Sequence, residues 1–120
     1  MDLSKAFDTV NIHTLLNKIT KTDIPNTIIK FIANYLKDRK AFTTYNKYNS
    51  TRKLVRTGVP QGSVLSPSLF NIYMSDIPTP PENVHIITYA DDITIASSNK
   101  NHLIAQRQIQ YLHTIHKWTL

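Results

Sequence analysis

Apolar positions along this chain follow two rhythms, one helical and one extended. In NIHTLLNKIT (11–20), Ile12, Leu15, Leu16 and Ile19 recur at the spacing of one helix face. In PNTIIKFIANYLKDRK (25–40) the stripe is clearer. Ile28, Phe31, Ile32, Tyr35 and Leu36 share a face, Pro25 suits the first turn, and the basic residues at the far end suit the negative helix pole. The rhythm then changes. Segments rich in Thr, Tyr, Val and Phe near 41–48 and 52–57 predict a hairpin, with Asn49-Ser50 as its turn. GVPQG (58–62) is punctuated as a loop. Ser66 predicts a cap and Pro67 a first helical position for SPSLFNIYMSDI, and PTPP (78–81) breaks the chain. NVHIITYA and DITIAS predict two strands, with Ala90-Asp91-Asp92 at or beside their turn. KNHLIAQRQIQYLHTIHKW predicts one last helix, with Ala105, Ile109, Leu112 and Ile115 or His116 on one side. Residues 1–4 read as the end of a strand. The order predicts an α+β fold, a small antiparallel sheet with helices on one face.

Composition narrows the classes. At 120 residues the chain is one domain or part of one, long enough to bury about two-thirds of its unfolded surface. With no cysteine, disulfides, thiolate zinc sites and Cys nucleophiles are excluded. No apolar run reaches the roughly 18 residues of a membrane span, and MDLSKAFDTV lacks the pattern of a secretory signal. The net charge is +6, densest over 37–56, where Tyr and Phe interleave with Lys and Arg. Such a face suits a phosphate backbone with stackable bases; a solvated surface that only aids solubility is the plain alternative.

Adjacent Asp91 and Asp92 between apolar runs raise a problem. Inside a strand, neighbouring side chains point to opposite faces, and one charge would be buried. At a turn the alternation relaxes, and Asp is common in turns for local reasons. Asp2, at the end of the first expected strand, is a third carboxylate. Hard divalent ions take such oxygens together with waters and substrate phosphates. His113 and His116 stand three apart on the last helix, but a zinc site needs three or four ligands and no Cys or acidic partner accompanies them.

Taken together, these stretches resemble the palm of a reverse transcriptase from a non-LTR retrotransposon, of the LINE type and most like the jockey group. DLSKAFDTV is similar to polymerase motif A, GVPQGSVLSPSLFNIY to motif B, YADD to motif C, and IHKW to the helix that leads into motif D. Order and spacing fit over nearly the whole chain, which implies a partial palm domain over 1–120. The resemblance implies that Asp2 and Asp91 ligate two catalytic Mg²⁺ ions, with Mn²⁺ as a substitute, and that Asp92 completes the cluster. It implies that Phe7 is the steric gate against a 2′-hydroxyl. Leu3, Gln61 and Gly62 belong with Phe7 at the nucleotide, Tyr89, Pro60 and Arg56 lie along primer and template, and Asp8 is structural. The implied partners are an RNA template, a DNA primer and dNTPs, with no membrane. The implied reaction is attack of the primer 3′-hydroxyl on the α-phosphate of a dNTP. The implied place of action is the nucleus or a cytoplasmic ribonucleoprotein.

On this resemblance the chain is expected to start inside motif A and to stop at HKWTL before the rest of motif D, so that fingers, thumb, primer grip and endonuclease are not expected within it. The expectation is a fragment that does not polymerise alone. Two other readings compete: a non-catalytic basic module that binds RNA or DNA, and a non-functional product of a degraded element.

Overall fold

The computed structural model describes residues 5–119. They gather into two compact bodies, 5–73 and 74–119, each with its own core. The mixed α+β class holds, with helices and small antiparallel sheets.

In the first body, α1 (Ala6–Thr9) and α2 (Ile12–Ile19) are separated by Asn11, whose side chain accepts a hydrogen bond from the Thr14 amide at 3.0 Å and so caps α2. Leu15 and Ile19, one helical turn apart, are fully buried. They pack with Ile32 and Leu36 of α3 (Asn26–Leu36), and Ala6, Val10, Val59, Leu69 and Phe70 complete this core. Only the inner half of the expected α3 stripe is buried: Ile28 and Phe31 are exposed. Pro25 caps α3 from outside rather than opening its first turn. The helix also stops before the basic residues expected in its last turn, because Lys37 is extended and Asp38 takes a φ of 50°. One of those cations still serves the helix end: Arg39 donates from Nε to the Leu36 carbonyl at 3.3 Å.

The predicted hairpin forms, but its turn is Asn46-Lys47, not Asn49-Ser50. β1 (Lys40–Ala41) pairs with β4 (Lys53–Leu54), and β2 (Thr44–Tyr45) pairs with β3 (Tyr48–Asn49), all antiparallel. Asn46 and Lys47 both have positive φ, 45° and 68°, the backbone that a two-residue turn needs to match strand twist, and Asn tolerates it well. Between the pairs Ala41↔Lys53 and Thr44↔Asn49, three steps on one strand face four on the other. The extra residue is a bulge, which divides one long hairpin into two short ladders. With β5–β6 the described residues therefore form three two-stranded sheets in place of one small sheet.

Ser66 opens α4 (Ser66–Met74), yet its hydroxyl donates to the Pro60 carbonyl at 2.5 Å instead of accepting a helix amide. It is the buried polar residue of the described core.

In the second body, β5 (Val84–Tyr89) and β6 (Asp92–Ser97) form a hairpin. Val84 and Ile93 pack with Tyr111 and Ile115, and Ile86 and Ile95 join from the same face. The expected last helix is two: α5 (His102–Gln108) and α6 (Tyr111–Thr119). At the break the amides of Leu112 and His113 reach back three residues, to Ile109 and Gln110. Gln108 ties α5 to the hairpin: it accepts from Ser97 Oγ at 2.7 Å and donates to the Glu82 carbonyl at 2.8 Å. The break turns Tyr111 and Ile115 inward and leaves Ile109 exposed, so the single stripe expected through Ile109 does not form. No helix among the described residues is long and apolar enough to cross a membrane.

Candidate active site

The acidic pair sits where strand alternation is suspended. The β5–β6 register runs from Val84↔Ser97 to Tyr89↔Asp92, which leaves Ala90 and Asp91 as a two-residue turn. Ala90 has a φ of 51°, a conformation that a non-glycine residue adopts only at a cost, here imposed by the tight turn. Asp91 is half-buried and Asp92 exposed, so neither charge enters the apolar cluster below. Among the described residues no donor or cation engages either carboxylate side chain. Tyr89, directly across from Asp92, is 82% exposed, so its ring is not packing material for the core. The hairpin thus presents two carboxylates and a phenol at one tip.

A second group lies in the first body, where the loop after β4 meets α1. The Gly58 amide donates to the Val10 carbonyl at 2.7 Å, and the Val59 amide to the Phe7 carbonyl at 2.8 Å. Gln61 Nε2 donates to Asp8 Oδ1 at 2.9 Å. Phe7 is half-buried and stacks on Phe70 of α4, with centroids 4.7 Å apart and planes at 25°. Two further side chains hold the loop. The Arg39 guanidinium donates to the carbonyls of Thr57, at 3.0 Å, and Gly58. Tyr35 donates its hydroxyl proton to Ser63 Oγ at 2.6 Å. Gly58 and Gly62 both take positive φ, 78° and 77°.

The structure thus brings Phe7, Asp8, Pro60, Gln61 and Gly62 into one supported loop-and-helix group. Tyr89, Asp91 and Asp92 share the hairpin tip. Arg56 is exposed just before the loop. Asp2 and Leu3 lie outside the described residues. Asp8, exposed at the end of α1, accepts from Gln61. The supports Arg39, Tyr35, Ser66 and Phe70 escape sequence reading: Arg39 looks like one more member of a basic run, and Tyr35 like part of an apolar stripe.

Carboxylate oxygens are the donors that Mg²⁺ and Mn²⁺ prefer, and two of them at an open turn fit such an ion in type and access. Among the described residues no group of three or more His, Asp or Glu side chains converges. Asp91 and Asp92 are therefore two donors, and the third expected donor is Asp2.

Comparison with known proteins identifies the family. A family model described as reverse transcriptase (RNA-dependent DNA polymerase) matches residues 1–119. The chain is 35% identical to the RNA-directed DNA polymerase from mobile element jockey of Drosophila melanogaster, over 98% of this chain and 14% of that protein. It is 34% identical to the probable RNA-directed DNA polymerase from transposon BS of the same organism, over the same shares. A Pol polyprotein from type-1 retrotransposable element R2 of Popillia japonica is 29% identical, over 82% of this chain and 16% of the relative. The chain thus spans about 14% of the length of the jockey and BS proteins. With its helix-and-hairpin α+β build and a family match over almost every residue, the chain belongs to the reverse transcriptase (RNA-dependent DNA polymerase) family.

Proposed function

We propose that this chain is a palm segment of an RNA-directed DNA polymerase and supplies the acidic centre for nucleotidyl transfer to a primer 3′-hydroxyl on an RNA template. The observation that carries this reading is the β5–β6 tip, which holds a half-buried Asp91 and an exposed Asp92 at one turn, with the exposed Tyr89 paired across from Asp92. Asp91 and Asp2, completed by Asp92, would hold two Mg²⁺ ions, or Mn²⁺ in their place. Bound there, such a pair supplies Lewis-acid activation of the attacking hydroxyl and neutralises charge on the leaving pyrophosphate. The chain's own residues position the substrates. Phe7, backed by Phe70, offers a ring edge for the dNTP sugar and leaves no partner for a 2′-hydroxyl. The 58–62 loop offers Gln61 and a glycine-flanked backbone to the nucleotide and template, with Leu3 alongside. Tyr89, Pro60 and Arg56 serve the primer and template strands. Catalysis of this kind is mostly positioning and charge stabilisation, so the rigid anchoring of the loop matters as much as the carboxylates. We further propose that the chain does not extend primers alone and acts in the nucleus or in a cytoplasmic ribonucleoprotein.

The test is a graft. Residues 1–119 replace the matched segment of the Drosophila melanogaster jockey polymerase, and primer extension is measured on an RNA template with Mg²⁺. The graft is expected to extend the primer and Asp91→Asn to abolish extension; full activity in Asp91→Asn overturns the assignment. In the chain itself, Mn²⁺ is expected to broaden the amide resonances of 89–93, and Asp91→Asn to remove that broadening.

A further inference from the structure

The 40–54 hairpin is exposed along its whole length and contributes nothing to either core. Aromatic residues in that position demand a reason. Tyr45 and Tyr48 are 76% and 82% exposed, and the register sets them directly across from each other beside the Asn46-Lys47 turn. The tip is nevertheless held in one shape. Thr44 Oγ1 donates to Asn49 Oδ1 at 2.7 Å, the Thr43 amide to Ser50 Oγ at 2.9 Å, and the Ser50 amide to the Thr43 carbonyl at 2.9 Å. Further down, Arg52 lies over the ring of Phe42, 5.8 Å from its centroid. The charge is of one sign: no acidic residue occurs between Asp38 and Asp76.

We propose that this hairpin is a platform for single-stranded nucleic acid, with bases stacked on Tyr45 and Tyr48 and phosphates held by Lys47, Arg52 and Lys53. A base offers a flat π-face to each ring whatever its identity, and a phosphate backbone supplies the anions that the hairpin's own sequence lacks. The same one-signed charge opposes pairing with a second copy of the chain. An unpaired strand fits better than a duplex, whose stacked bases are closed to an exposed phenol. The proposal uses none of the carboxylates of the polymerase reading and stands or falls apart from it.

The experiment uses the full chain and a fluorescein-labelled 20-nucleotide oligo(U), followed by anisotropy in EDTA across a salt series. Wild type is expected to bind, with affinity falling as salt rises. Tyr45→Ala/Tyr48→Ala is expected to weaken binding about tenfold or more at every salt concentration, while Tyr45→Phe/Tyr48→Phe binds like wild type. Lys47→Ala is expected to lower the salt slope by about 0.7. Phe31→Ala, an exposed ring on α3, is expected to change nothing. No binding by wild type at low salt overturns the proposal. So does unaltered binding by the double alanine variant, tighter binding of a 20-base-pair duplex, or self-association that the double alanine variant removes.

Discussion

A methyl group at position 58 has no room. A Cβ there would lie 2.6 Å from the Asp8 carbonyl oxygen and 2.7 Å from that of Phe7, and both are backbone atoms that cannot swing aside. The positive φ adds its own cost. Gly58→Ala is expected to destabilise the chain by about 2–4 kcal/mol in urea unfolding, through overlap and backbone strain together. Gly62 has nothing within 4 Å of the same point, so Gly62→Ala should lose only the backbone part, about 1–2 kcal/mol. Equal losses would show that the loop does not dock on Phe7 and Asp8 as described. Within motif B, the glycines were readable as loop residues from sequence. Which of them is sterically obligatory was not, because the obstructing atoms lie about fifty positions earlier in the chain.

At the scale of elements, the break between α5 and α6 decides what enters the second core. It delivers Tyr111, whose hydroxyl donates to the Pro78 carbonyl while its ring packs with Val84, Ile93 and Ile115. Burial raises the phenol above its ordinary value of 10.0. A raised value means that the folded chain holds this proton more tightly than the unfolded one. The stabilisation is complete below about pH 10 and is lost as pH climbs through the folded value. Thermal unfolding monitored from pH 8 to 11 should show a fall above pH 10 that is shallower in Tyr111→Phe. At neutral pH the same variant should lose about 1 kcal/mol with the hydrogen bond. An identical alkaline limb in both proteins would remove Tyr111 as the cause. The helical period itself was legible over 100–118. The break was not, because Gln108 finds its partners at Ser97 and Glu82 on other elements.

At the scale of the whole molecule, the buried apolar side chains form two cores, and the hairpin tips proposed to act on nucleic acid lie outside them. Hydrogen exchange should give its slowest amides in α2, α3 and α4 around Leu15, Ile19, Leu36 and Phe70, and in β5, β6 and α6 around Val84, Ile93 and Ile115. The 40–54 hairpin should exchange fastest among the ladders, since none of its residues is buried. Protection there equal to that of β5–β6 would count against an open platform. The sequence by itself determined what depends on near neighbours: the α+β order, the β5–β6 hairpin with its aspartates at the turn, and the motifs that mark the family. The first two follow from period, alternation and turn chemistry, each complete within a few residues, and the motifs from their resemblance to a known family. Only the tertiary structure decided the Asn46-Lys47 turn with its bulge, the division of the last helix, and the Asp8–Gln61 bond. It also decided the anchoring of the 58–62 loop by Arg39. Each of these joins residues through packing or register, and that pairing is written in no single stretch of chain.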